Sequence, residues 1–172
     1  MCLIVGQKGM NVFSGESESM VGMEMGGSFF TGEFLHTLDP KNRLTIPSEW
    51  REMVGEPRKF YVLPALDSPC LSLYRVPEFM RKLAKLRDHS IADPKARQMA
   101  RVLGSRSDFI GWDSAGRVRI KDDLLEDAGL KGKVVMLGAL DRIELWSPEE
   151  WKRAAAAEDM ASLEDAVRYV NL

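Results

Sequence analysis

"DPKNRLTIPSEWREMVGEPRKFYVLPALD", residues 39–67, lies without a gap on "DSAGRVRIKDDLLEDAGLKGKVVMLGALD", residues 113–141, when the chain is slid by 74 positions. Ten of the 29 aligned positions are identical, among them Asp39/Asp113, Arg43/Arg117, Ile46/Ile120, Gly55/Gly129 and Asp67/Asp141. Such an internal repeat constrains the architecture before any single element is assigned. Two copies are too few for a solenoid. They predict a pseudo-two-fold pair of halves sharing one core. Beyond Asp67 and Asp141 the register slips by two, so that "LSLYRVPEF" falls on "IELWSPEEW", with Tyr74 on Trp146 and Phe79 on Trp151.

Each copy reads the same way. Phe34, His36 and Leu38 alternate with Leu35 and Thr37, as in a strand with one buried face, and Leu44 and Ile46 resume the alternation after a loop. Ile110 and Trp112, then Val118 and Ile120, do the same in the second copy. Short helices follow, with Ser48 and Asp122 as expected N-caps and Gly55 and Gly129 at the C-terminal ends. Two more strands are expected near Phe60–Leu63 and Leu71–Tyr74, and near Val134–Leu137 and Ile143–Trp146. A helix then opens at Pro77, and another at Asp93–Pro94. Ser147 and Glu150 form a capping box around Pro148. The predicted order is β-β-α-β-β-α-α, then β-β-α-β-β-α. This divides the chain into a disordered extension (1–28), a first half (29–76), a helical connector (77–107), a second half (108–153) and an acidic helical tail (154–172).

Within 172 residues the formal net charge is −2, but its distribution matters more than its sum. Both ends are acidic, and residues 31–153 carry a net charge of +3. The connector holds eight basic residues against three acidic ones, which fits a solvated helix face, a subunit contact or an auxiliary DNA contact. No apolar run approaches the roughly 18 residues of a membrane span, and "MCLIVG" is too short for a signal-peptide core. We therefore expect a cytoplasmic protein. Two cysteines, Cys2 and Cys70, cannot build a disulfide framework or a four-thiolate zinc site. His36 and His89 have no motif around them. Neither a cofactor nor a metal is expected. Met10, Met20, Met23 and Met25 offer later starts within the extension.

The chemistry sits in the repeated loop. Asp39-x-x-x-Arg43 recurs as Asp113-x-x-x-Arg117, and the position before each arginine, Asn42 or Gly116, tolerates positive φ. Each aspartate can accept backbone N–H groups of its own loop and can hold the guanidinium. An exposed Asp–Arg pair is worth only about 0–1 kcal/mol, so a purely structural device is one reading. In the other, the aspartate shapes the loop and aims an arginine, the preferred fork for phosphate and guanine edges. Lys41 adds a cation to the first loop, where the second has Ala115. The first loop is therefore expected to bind more strongly.

At these residues the sequence resembles the MraZ family of bacterial regulators, built from two AbrB-like halves. The resemblance rests on "FTGEFLHTLDPKNRLTIPSEWRE" (30–52), "WDSAGRVRI" (112–120) and "VVMLGALDRIELWSPEEW" (134–151), and covers roughly 29–153. It implies an α+β fold: an AbrB-like swapped-hairpin β-barrel assembled from both halves, with flanking helices. It also implies a ring-like homo-oligomer, associated with the nucleoid. Its partner would be double-stranded DNA at short repeated sites upstream of its own operon, in the division and cell-wall cluster, where it would act as a repressor. The family signature carries over onto Asp39, Lys41, Arg43, Asp113 and Arg117 as DNA-contacting residues. Asn42 stands where the family commonly has glycine, and residues 1–28 have no counterpart.

Two other classes of function compete. An enzyme would need a phosphate loop, a nucleophile elbow or a zinc pair, and the sequence has none of these patterns. No small-molecule substrate is expected. An antitoxin-like interaction module would use the acidic tail to hold a protein partner, with DNA binding secondary.

Overall fold

A computed structural model describes residues 29–90, 93–157 and 169 of the chain. The expectations for residues 1–28 and for most of the acidic tail lie outside the described residues. The described elements follow the predicted order. The first half contributes β1 (Glu33–Thr37), β2 (Arg43–Thr45), α1 (Ser48–Val54), β3 (Lys59–Pro64), β4 (Cys70–Arg75) and α2 (Val76–Ser90). After α3 (Pro94–Arg106) come β5 (Asp108–Gly111), β6 (Arg117–Arg119), α4 (Asp122–Asp127), β7 (Lys133–Gly138), β8 (Arg142–Trp146) and α5 (Pro148–Ala157).

Four of the six strand pairings described cross the repeat, and only β3–β4 and β7–β8 stay within one half. The six-stranded antiparallel sheet runs β1-β7-β8-β4-β3-β5, so β1 pairs with a strand of the second half and β5 with a strand of the first. β2 and β6 form a separate two-stranded ribbon. Leu44 lies opposite Val118, the residue 74 positions on. Ser72 lies opposite Glu144, its counterpart once the register has slipped by two. The β2–β6 and β4–β8 ladders are therefore each centred on equivalent residues, and a pseudo-two-fold axis passes through both pairs.

The expectation of a closed barrel is corrected. β1 and β5 remain the edges of an open sheet. The three-residue strands β2 and β6 direct their ladder bonds at each other, and among the described residues the Trp112–Val118 bridge links the end of β5 to the ribbon. Side chains make the closure instead. Leu44, Ile46, Val118 and Ile120 are fully buried and join Phe60, Val62, Leu71, Leu73, Val134, Met136, Ile143 and Leu145 of the sheet in one core. Alternation along β2 and β6 drives this, since one face is apolar and the other is polar. Trp50 fills the middle of the core, edge-on to Phe34 at 5.0 Å and to Phe30 at 5.8 Å. Its Nε1–H donates to the Thr31 carbonyl at 3.2 Å.

The opposite face of the sheet carries the long helices. Phe79 of α2 stacks on Tyr61 at 4.4 Å, and Trp151 of α5 packs against Trp146 at 5.8 Å. Cys70 is buried there, and burial pushes its thiol up to about 12. Asp93 caps α3 through the Lys95 N–H at 2.8 Å, and the Ser147 hydroxyl accepts the Glu150 N–H at 3.2 Å. Two expected caps are corrected. Pro47 and Lys121 hold the N-cap positions of α1 and α4, with their carbonyls accepting the Arg51 and Leu125 N–H groups. Ser48 and Asp122 sit one residue too far along, inside their helices, and neither caps. At the far end of α4, Gly129 and Leu130 donate to Glu126 and Leu125, the two-bond helix stop that a positive φ at Gly129 permits.

Candidate functional site

The loops between β1 and β2 and between β5 and β6 are built alike. Asp39 opens a tight turn in which the Asn42 N–H donates to the Asp39 carbonyl at 2.9 Å, while the Asp39 N–H donates to the Arg43 carbonyl at 3.0 Å. In the second loop Gly116 donates to Asp113 at 2.8 Å and Asp113 to Arg117 at 3.0 Å. Both turns need a left-handed residue at the same place, supplied by Asn42 (φ 56°) and Gly116 (φ 75°). The side chains repeat the symmetry. Asp39 Oδ1 accepts the backbone N–H groups of Lys41 and Arg43, and Oδ2 accepts Arg43 Nε at 2.7 Å. Asp113 Oδ1 accepts those of Ala115 and Arg117, and Oδ2 accepts Arg117 Nε at 2.9 Å. In each pair the terminal Nη2 approaches the same carboxylate oxygen, at 2.7 and 2.8 Å.

The aspartates are therefore fixed as anions. The Arg117 guanidinium and two backbone N–H groups hold the Asp113 carboxyl down at about 2. Desolvation works against ionisation at Asp39, but its bonds to Arg43 and Lys41 outweigh it and the carboxyl stays below its ordinary value. Arg117 is correspondingly raised, chiefly by its bond to Asp113.

The cross-repeat ribbon brings the two loops together. Ile46 N–H donates to the Gly116 carbonyl and Ile120 N–H to the Asn42 carbonyl, each at 3.0 Å, so each loop is stitched to the strand of the other. Arg43 Nη1 lies 3.8 Å from Asp113 Oδ2 of the other loop. Asp39, Arg43, Asp113 and Arg117 thus adjoin one another at the ribbon, with both arginines on the face opposite Leu44 and Val118, and Lys41 stands exposed in the first turn. The supports of the two turns differ. The Asn42 side chain donates to Asp122 Oδ1 at 2.8 Å, tying the first turn to the start of α4. Gly116 lies under the Arg51 guanidinium, where an added Cβ would come within 2.6 Å of Cζ.

One cation on this surface was not singled out by sequence. Arg119 stands directly opposite Arg43 in the ladder, on the same outer face. It escaped notice because the repeat places Thr45 at its position, and comparison of copies selects identities. The alternation Arg117-Val118-Arg119 was the available signal. Among the described residues no cluster of three or more His, Cys, Asp or Glu could hold a metal ion.

Comparison with known proteins matches this doubled architecture. Two stretches, 29–102 and 106–170, fit the profile of the MraZ protein, described as antitoxin-like. The chain is 35% identical to the "Transcriptional regulator MraZ" of Acetivibrio thermocellus over 133 residues, which covers 77% of this chain and 91% of that protein. The chain belongs to the MraZ family. MraZ proteins of Thermomicrobium roseum (35% over 133 residues, covering 77% of this chain and 90% of that one) and Clostridium beijerinckii (36% over 122 residues, 71% and 84%) are similarly close. The two MraZ profile matches each contain one Asp-x-x-x-Arg turn.

Proposed function

We propose that this chain is a transcriptional regulator, and not an enzyme, that binds double-stranded DNA through the β2–β6 ribbon and its two turns. One observation carries the reading: two similarly built, aspartate-held arginines, both half-buried, stand on the same face of one ribbon, one at each end. A two-stranded ribbon has the width to enter the major groove, and arginine supplies forks for phosphates and guanine edges. Asp39 and Asp113 would repel phosphate if they faced it, so their role is to aim Arg43 and Arg117. Lys41, exposed beside the first arginine, adds a phosphate contact. The names of the relatives support regulation of transcription.

In this reading the domain division is that of the sequence: halves at 29–76 and 108–153 around the connector 77–107, with AbrB-like exchange of strands between them. Weak individual contacts gain from repetition, so a ring-like homo-oligomer would engage short repeated sites upstream of its own operon and repress it, in the cytoplasm at the nucleoid. No helix among the described residues is long and apolar enough to cross a membrane. Fluorescence anisotropy with DNA from the gene's own upstream region, against scrambled DNA over a salt series, tests the reading. Preference for the upstream DNA and a steep salt slope are expected. Equal affinity for both sequences would refute site-specific regulation.

A second reading, as an antitoxin-like interaction module, is favoured by an apolar groove of about 420 Å³ on the helical face, lined by Leu66, Phe79, Leu83, Met99 and Leu103. Capture of a protein partner there, with no DNA preference, would be its mark.

A further inference from the structure

The two repeats agree in their Asp–Arg turns but differ in the charges around them, and the ladder places those differences together. The β2–β6 ribbon is antiparallel, with Arg43 opposite Arg119 and Thr45 opposite Arg117. One end therefore gathers the first turn and the last residue of β6. Lys41, Arg43 and Arg119 stand there, all on exposed or half-buried positions. The other end gathers the second turn and the last residue of β2. There the equivalent positions hold Ala115, Arg117 and Thr45. On the ribbon strands and turns both replacements put their cation at the first-turn end; off the ribbon, Arg51 (Leu125 in the second repeat) lies over Gly116 with its Nε donating to the Ile46 carbonyl, and Asp122 (Ser48 in the first repeat) holds Asn42 at the first turn.

The arginines also differ in what occupies them. Arg43 and Arg117 each have Nε and Nη2 directed at an aspartate oxygen. Arg119 is 60% exposed, and its ion pair is a single Nη2 contact of 3.5 Å to Asp122 Oδ1. That oxygen already accepts the Asn42 side chain at 2.8 Å. Arg119 is thus the guanidinium of the ribbon with an open fork. Like charges directly opposite in a ladder destabilise it, and the Arg43–Arg119 pair becomes favourable when an anion lies across both.

We propose that Arg119 is a third DNA-contacting arginine, which with Lys41 makes the first-turn end of the ribbon the stronger half and gives the chain one preferred orientation on its site. This rests on the DNA-binding reading above. The acceptor is a planar pair of oxygens or an O/N edge, from phosphate or guanine, either of which the fork of Arg119 fits.

The test is anisotropy of the full chain with upstream duplex and scrambled duplex over a salt series, for wild type, Arg119→Thr, Arg119→Lys, Arg43→Ala and Arg117→Ala, with folding checked by circular dichroism. Arg119→Thr installs the residue that the first repeat carries at this place. It is expected to bind the upstream duplex about tenfold more weakly, with the salt slope reduced by about one if the contact is to phosphate. Arg119→Lys then keeps affinity if the acceptor is phosphate, and loses it on the upstream duplex alone if the acceptor is a guanine edge. Arg43→Ala is expected to cost more than Arg117→Ala. Wild-type affinity and slope in folded Arg119→Thr, with Arg43→Ala still impaired, would overturn this inference and leave the DNA-binding reading standing. Absence of DNA binding by the wild-type chain would overturn both.

Discussion

Asp113 shows how a carboxylate can serve a cation-led site. Its Oδ1 closes the turn on two backbone N–H groups, and its Oδ2 holds the arginine. All three bonds are stronger to the anion, which is why the carboxyl sits at about 2, below the ~3.9 of an unfolded chain. A depressed native value means that the turn is stabilised at every pH above about 4 and loses that support as pH falls through about 2. Carboxyl carbon chemical shifts recorded against pH should give Asp113 a midpoint near 2, and a midpoint near 3.9 would show that the turn is not held in this way. The spacing of Asp, Gly or Asn, and Arg made this role legible in sequence. The partnership of Arg43 with Asp113 of the other loop was not, because nothing in a spacing states which loops meet. Arg119 was missed for a related reason: its importance comes from standing opposite Arg43, which is a property of the ladder register.

At the scale of elements, the strand and helix order was legible because apolar periodicity and its repetition agree in both copies. The pairing partners were not, since alternation fixes which face of a strand is buried and leaves its neighbour open. By residue type Ser48 and Asp122 suit the N-cap, yet such a residue can also occupy the first helical turn, as both do here. Asp122 instead anchors Asn42. A glycine whose role emerges only in three dimensions is Gly138, at the end of β7. A Cβ there would lie 2.4 Å from the backbone of Phe30 and Thr31, which crosses over it and pairs with Leu140. The neighbouring atoms are backbone and have little room to yield. Gly138→Ala should destabilise the fold by about 1–3 kcal/mol, read as a lowered urea midpoint. An unchanged midpoint would mean that the Phe30–Thr31 segment is not pinned on β7.

For the molecule as a whole, the repeat predicted two halves with one core, and the shared cluster around Leu44, Val118, Phe60 and Met136 has that form. The barrel implied by the family resemblance is not closed by strand pairing, since β1 and β5 are open edges. Ribbon and sheet are joined by packing, and short strands leave few ladder positions for closure. Because β1, β2 and β5 all pair across the repeat, neither half completes its own sheet. Unfolding should be a single transition. Leu44 and Val118 meet on the pseudo-two-fold axis, so Leu44→Ala and Val118→Ala should be non-additive in a double-mutant cycle by about 0.5 kcal/mol or more. Strict additivity would indicate halves that fold independently.

In the proposed function the two aspartate-held arginines of the ribbon carry DNA binding. That role is tested most directly by the Arg43→Ala/Arg117→Ala double variant, confirmed folded by its urea transition and titrated by anisotropy with DNA from the gene's own upstream region. Loss of two DNA contacts at about 1–3 kcal/mol each predicts affinity weaker by at least tenfold and loss of preference over scrambled DNA. A folded double variant that binds the upstream DNA as wild type does would contradict the account.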